Sequence, residues 1–310
     1  FKDKITKEYE DLALFGFFIR SANTKKIIKD TDCNLLGRGL AFHVNTSNVP
    51  LNFAYSLYYG LIFGNTNILK ISRTMFPQTN ILINMLKKVL KIRNYNFLKK
   101  FIFIIQYDNQ IEISTLISIN SDIRIIWGSD QTIEKFKKIQ SSPRVVDLYF
   151  PDRISISIIN SEKYMLLKNK NDLLKNFYKD SLYFDQLGCS SPQSILWIGS
   201  KSKSASKDFW NKFSSKFYSD YPFDFRKGYD KHNHLFKLSL LIKEKTSFKN
   251  YKDRFLVFDA KNNFNMIKNL KGINGIFFQT YILDINSINK FISKKTQTLS
   301  CFGFDKQQII

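Results

Sequence analysis

The strongest constraint on this chain is a rhythm. Between Gly39 and Gln140 short strand-like runs alternate with longer helix-like runs. "GLAFHV" reads as a strand, and "PLNFAYSLYYGLIFG" has helix length, with Pro50 suited to a first helical turn. "TNILKIS" reads as a strand, and "PQTNILINMLKKVLKI" as an amphipathic helix that opens on Pro77. "KFIFIIQY" reads as a buried strand, "DIRIIWGS" as another strand and "DQTIEKFKKIQ" as a helix, while "QIEISTLISI" fits either type. A β-α-β-α order of this kind demands a parallel sheet with helices on both faces.

The pattern restarts after "RISISIIN". A helix in "LLKNFYKDSLYFDQ" leads to a strand in "QSILWIG" and a helix in "SKDFWNKFSSKFY", and further strands are expected in "RFLVFD", "GIFFQTYIL" and "QTLSCFG". The expected fold class is therefore α/β, with two doubly wound halves. A chain of 310 residues is long enough for two such cores. With 30 Phe, large rings must fill much of the interior.

The formal net charge is +22, from 48 Lys and Arg against 26 Asp and Glu. The lysines are scattered, as in "LKKVLKIRNYNFLKK", and read as a solvated surface that would still attract phosphorylated ligands. Nucleic acid is not an expected partner. The stretch from Val44 to Leu69 carries no charge, but its Asn, Gly and Pro residues break it too often for a bilayer span. Cys33, Cys189 and Cys301 are too few and too scattered for a disulfide framework, and no metal spacing occurs among the Cys and His residues. No metal is expected, and a reducing, cytoplasmic setting is. The first residue is Phe1 and the last segment is "DKQQII", so both ends are expected to be cuts from a longer protein.

Cys189 raises the functional question. It lies in "FDQLGCSSPQ", on a turn of small residues just ahead of a strand. Three other stretches precede it in order: "HVNTSNVPLNFA", "GNTNILKISR" and "IIWGSDQTI". Together they resemble the aldehyde dehydrogenase superfamily, and within it the bacterial luminescence-type (LuxC-like) fatty acyl-CoA reductases. The resemblance runs from about Leu36 to the end. It implies a Rossmann-like NADP-binding domain over residues 1–155, truncated at its N-terminus. A catalytic domain would occupy 156–295, and 296–310 would return toward the cofactor domain.

The resemblance also assigns roles. Cys189 would be the nucleophile that becomes an acyl-enzyme; its alternative is a small structural cysteine. Asn48, in "TSNVP", would donate to the oxyanion together with the Cys189 backbone N–H. The same Asn48 would serve as a cap for the helix near Pro50. Lys70 would bind the adenosine ribose. Arg73 stands three residues on, where NAD-preferring relatives often carry a glutamate. A cation there pairs with a 2′-phosphate, so NADP is the expected cofactor, the alternative being a solvated surface Arg. Gly128 and Ser129 would sit where the pyrophosphate lies. The second glycine of many dehydrogenases is missing; Ile133 and Glu134 occupy that region. His43 reads as a core or strand-end histidine, and nothing in the sequence makes it a base.

One departure bears on the reaction. Hydrolytic aldehyde dehydrogenases use a glutamate to activate water. The matching region here reads "VVDLYFPDRISISII", where Asp147 is the nearest carboxylate, or else a turn or surface residue. A reductase that starts from an acyl thioester needs no such base. The expected activity is NADPH-dependent reduction of an acyl-CoA or acyl-protein to an aldehyde, with an acyl-protein synthetase as partner and homo-oligomerisation left open. Rival readings are an acyl phosphate reductase of the glutamyl-phosphate type, and a non-catalytic basic binding or scaffold protein.

Overall fold

A computed structural model describes residues 8–31, 36–73, 75–108, 110–242, 246–261 and 263–309; Cys33 lies outside them. The chain divides into two compact units, Phe1–Asp152 and Arg153–Ile310. The second unit starts at Arg153, three residues before the domain start read from the sequence, and so takes in the whole strand Ile154–Asn160.

The first unit is built on five parallel strands: β1 (Leu40–Val44), β2 (Thr66–Lys70), β3 (Ile102–Ile105), β4 (Ile123–Gly128) and β5 (Val146–Pro151). Their order is β3-β2-β1-β4-β5. β1 pairs with β2 on one side and with β4 on the other. Helices Asn52–Ile62, Pro77–Leu90, Ile111–Ile119 and Asp130–Lys137 supply the crossovers. The ambiguous "QIEISTLISI" thus resolves as a helix. "KFIFIIQY" is corrected from a buried strand to an edge strand, with Phe103 47 % exposed. Its apolar run suits a two-sided strand, but its place in the order leaves one flank open. The segment bearing Asp147 is itself a strand, β5, on the opposite edge.

The second unit holds β6 (Ile154–Asn160), β7 (Pro192–Ile198), β8 (Phe248–Tyr251), β9 (Phe255–Asp259), β10 (Ile276–Ile282) and β11 (Thr296–Phe302), in the order β11-β6-β7-β10-β9-β8. All neighbours are parallel except β8 and β9. Residues 296–310, expected to head back toward the first domain, instead place β11 along β6 in this sheet.

Side chains alternate faces along a strand, and β7 shows it. Ile195 and Trp197 enter an aromatic layer with Phe177, Phe209, Trp210, Phe213, Phe255 and Phe277. Leu196 and Ile198 enter the opposite layer with Ile156, Phe258 and Phe278. The two indole N–H groups in the first layer need acceptors, since a buried unpaired donor is costly. The buried Gln279 side chain provides one: its Oε1 accepts from Trp197 at 3.2 Å, Trp210 at 2.9 Å and Ser206 at 2.8 Å.

Candidate active site

Cys189 sits between the helix Asn171–Leu182 and β7, on a turn held by its neighbours. Asp185 and Gln186 both adopt left-handed backbone, with φ of 53° and 63°. Such residues persist only where the surroundings over-determine them, at a cost of about 1–3 kcal/mol each. The Asp185 carboxylate accepts from the Tyr221 hydroxyl at 2.8 Å and pairs with Lys227 at 2.9 Å. Its carbonyl accepts from the Asn274 N–H at 3.0 Å. Gln186, only 1 % exposed, donates to the Ile276 carbonyl at 2.9 Å and accepts from the Gly275 N–H at 2.8 Å.

Beyond that clamp the thiol itself is exposed. The Cys189 carbonyl accepts from the Ser155 hydroxyl at 2.7 Å, at the start of β6. The Cys189 sulfur accepts from Gln297 Nε2 at 3.3 Å, at the start of β11. The starts of three adjacent strands therefore meet at this cysteine. Cys301, the other free thiol among the described residues, lies further along β11. Sequence reading missed Gln297, Asp185 and Gln186 as contributors. Only the "DQ" ahead of the cysteine was in view; Gln297 is 108 residues away.

In the first unit the expected cofactor residues gather at one edge of the sheet. Lys70 ends β2, Gly128 ends β4, and the loop carrying Asn48 follows β1. Consecutive strands leave β1 in opposite directions, toward β2 and toward β4, and doubly wound sheets bind their ligands at such a switch point, beyond the carboxyl ends of the strands. Gly128 must be small, because a Cβ there would approach Thr132 to 2.9 Å. Ser129 caps the helix Asp130–Lys137, accepting from the Thr132 N–H at 3.3 Å. Ser129 and Asp130, which stands in the first turn, are both exposed, so the positive end of this helix dipole lies at the surface.

Lys70 lies over the Tyr107 ring, its Nζ 4.2 Å from the centroid. Burial lowers its pKa, against the opposing charge of Asp108. Arg73 pairs with Asp108 at 2.9 Å, and both side chains are about two-thirds exposed (66 % and 63 %). A pair in that setting contributes little, so a phosphate can compete for the guanidinium. Asn48 is half-buried, and the helix expected near Pro50 starts at Asn52, after a Leu51 cap with no side-chain bond. Asn48 belongs to the first unit and Cys189 to the second.

His43 is fully buried. Its Nδ1 lies 2.6 Å from Ser56 Oγ and its Nε2 3.0 Å from Asn67 Oδ1. The amide oxygen can only accept, so Nε2 carries the proton and Ser56 donates to Nδ1. Burial drops its pKa to about 4, which leaves a neutral core histidine. Asp147 is also occupied. It takes two hydrogen bonds from Arg124, at 2.6 and 2.5 Å, and one from the Tyr149 hydroxyl at 2.6 Å. Burial alone would raise its pKa, but these donors hold it below the usual carboxylate range. A carboxylate so engaged is a strut, not a water-activating base.

Among the described residues no group of three or more His, Cys, Asp or Glu side chains is placed to hold a metal, and no helix is long and apolar enough to cross a membrane. A family model described as acyl-CoA reductase (LuxC) matches residues 25–223. The chain belongs to this family. It is similar to a long-chain acyl-protein thioester reductase from Aliivibrio fischeri, with 26 % identity over 164 residues, 52 % of this chain and 32 % of that relative. Among solved structures it is similar to one named as an aldehyde dehydrogenase, PutA, from Anabaena variabilis. That likeness has a TM-score of 0.65 at 12 % identity and covers 89 % of this chain and 60 % of the other. It is also similar to an NAD-dependent benzaldehyde dehydrogenase from Corynebacterium glutamicum, with a TM-score of 0.61 at 10 % identity, covering 86 % and 64 %. The fold of this LuxC-family chain is thus the aldehyde dehydrogenase fold, and the chain spans less than two thirds of the length of each of these three proteins.

Proposed function

We propose that this protein reduces an acyl thioester, an acyl-CoA or an acyl-protein, to an aldehyde, with Cys189 as the nucleophile and NADPH as the reductant. The observation that carries the reading is the exposed Cys189 thiol on a turn clamped by Tyr221, Lys227, Asn274 and Gly275. A reacting atom needs such fixed support. The Cys189 thiolate attacks the acyl carbon, a new S–C bond forms, and the donor thiol leaves. The Cys189 N–H is assigned to hold the oxyanion. NADPH, which Lys70, Arg73 and the Gly128–Ser129 turn would hold, would supply the hydride for reduction of the acyl carbon. Collapse of the resulting hemithioacetal breaks the S–C bond and releases the aldehyde and the thiolate. No water is activated, which agrees with Asp147 being spent on Arg124 and Tyr149.

For the cofactor, Lys70 and Arg73 are assigned to the adenosine end and the Gly128–Ser129 turn to the pyrophosphate. The exposed Arg73 favours a 2′-phosphate over a free hydroxyl. A cytoplasmic setting and an acyl-protein synthetase as acyl donor complete the reading, and copurification of the full-length protein from its own cells tests the partner. The central test is incubation with a radiolabelled long-chain acyl-CoA. Label should appear on the Cys189 peptide of the wild type and not in Cys189→Ser, with NADPH releasing it as aldehyde. A Ser variant that reduces acyl-CoA near the wild-type rate would falsify the assignment.

A further inference from the structure

β11 does not run evenly along β6. Thr296 aligns with Ile154 and Thr298 with Ser155, so Gln297 is an extra residue without a partner across the ladder. This is a one-residue β-bulge, a feature that re-aims a side chain and is common beside functional sites. Its consequence here is specific. Ser155, opposite the bulge, fastens the Cys189 carbonyl, while Gln297 Nε2 reaches the Cys189 sulfur at 3.3 Å. Among the described residues this amide is the polar side-chain group that meets the thiol. The thiol is exposed, so its reactivity depends on the donors aimed at it rather than on burial.

We propose that Gln297 is a catalytic residue whose carboxamide N–H donates to the Cys189 sulfur and stabilises its negative charge. This rests on Cys189 being the nucleophile. An amide N–H is a donor at every working pH and gives up no proton. It favours the thiolate before attack and again when the hemithioacetal expels that sulfur. During acyl transfer the Cys189 S–C bond forms and the donor's C–S bond breaks. The donor thiolate takes its proton from solvent, and Gln297 keeps its own.

The test is peptide-resolved alkylation by iodoacetamide, which needs neither an acyl donor nor a cofactor. Sulfur displaces iodide, and any thiol proton goes to solvent. Gln297→Met keeps length and removes the donor. At pH 7 Cys189 of Q297M should be alkylated roughly three- to tenfold more slowly, because the charge on the sulfur has lost its hydrogen-bond donor. At pH 10 it should react as fast as wild type or faster, because nucleophilicity rises when the stabilising donor is gone. Gln297→Glu should be slower still at pH 7, since a carboxylate repels the thiolate. Cys301, four residues along the same strand, is the internal control and should be unchanged. Equal Cys189 rates in wild type, Q297M and Q297E at pH 7 would overturn the proposal. So would a slowing that is the same at both pH values or that Cys301 shares, because strand damage does that. If the alkylation pattern holds while acyl-CoA leaves no adduct, the proposed function fails and the Gln297 contact stands.

Discussion

The two units use one architecture and fill it with different chemistry. In the second, the strands bury aromatic and aliphatic side chains on both faces, and Trp197, Trp210, Phe209, Phe213 and Phe277 form one continuous layer. In the first, the strands bury His43, Asn67 and Arg124 beside smaller apolar clusters. Hydrophobic packing does not depend on pH or on a single partner. A buried imidazole or guanidinium does, because its cost is offset only while its partners and protonation state hold. The comparison teaches that the proposed nucleophile stands on the unit whose strands, among the described residues, bury no titratable side chain, although its two indoles share Gln279 as acceptor and Lys231 is buried on a helix. The expected cofactor residues stand on a sheet whose stability is conditional.

The largest effect should come from the aromatic layer. Phe209 is fully buried and packs against Phe177, Trp197, Trp210 and Phe213. Phe209→Ala should cost about 3–5 kcal/mol, read by hydrogen exchange as lost protection across β7 and β10. Protection lost chiefly in the first unit would break the contrast. Next comes Arg124→Met, which leaves Asp147 without its guanidinium. Removing one partner of a buried pair costs roughly 3–5 kcal/mol, and the 25 % exposure of Asp147 places the expectation at about 3. The loss should appear in β4 and β5, and it should shrink below pH 4. There protonation of the native carboxylate, whose pKa is depressed, removes the pair's contribution in the wild type as well.

Acid should then separate the units. The folded pKa of His43 is about 4 against an ordinary 6.5, so its contribution is complete above pH 6.5 and is lost as pH falls toward 4. Two and a half units at 1.36 kcal/mol each give about 3 kcal/mol. In the second unit Glu162 and Asp208 would be raised by burial, but hydrogen bonds from Ser200 and from Lys212, Lys170 and Tyr164 hold each at about 2, so their contributions are lost as pH falls from the ordinary values of 4.5 and 3.8 toward 2, mostly below the window in which His43 acts. His234 there is also lowered by burial, so the comparison belongs in a H234N background. Exchange protection should fall in the first unit between pH 6.5 and 4, and His43→Gln should flatten that slope. A slope that survives the substitution assigns it to another group.

The smallest effect concerns Arg73. A charge-assisted bond to a 2′-phosphate is expected to add about 1.5–3 kcal/mol, a tenfold to hundredfold preference for NADPH. Arg73→Glu should swing selectivity toward NADH, measured for both cofactors at low and high salt. Equal wild-type affinities, or a preference that vanishes in salt and ignores the substitution, would return Arg73 to being the surface partner of Asp108.

The element order was legible because periodicity is local. "GLAFHV", "DIRIIWGS" and "QSILWIG" carry their strand character in consecutive residues, as does the helix in "DQTIEKFKKIQ". The turn around Cys189 was legible too, from its own small residues. Strand order and pairing are not written locally. Whether "KFIFIIQY" is central or an edge depends on what lies beside it, and β11 joins β6 across more than a hundred residues. The two side chains that change the chemical reading are of this second kind. Asp147 is a candidate base until Arg124, one strand away, takes its oxygens. Gln297 is an unremarked glutamine until a bulge turns its amide onto the Cys189 sulfur. A sequence sets what each segment prefers to be, and only the packed sheet decides which groups come within hydrogen-bond reach.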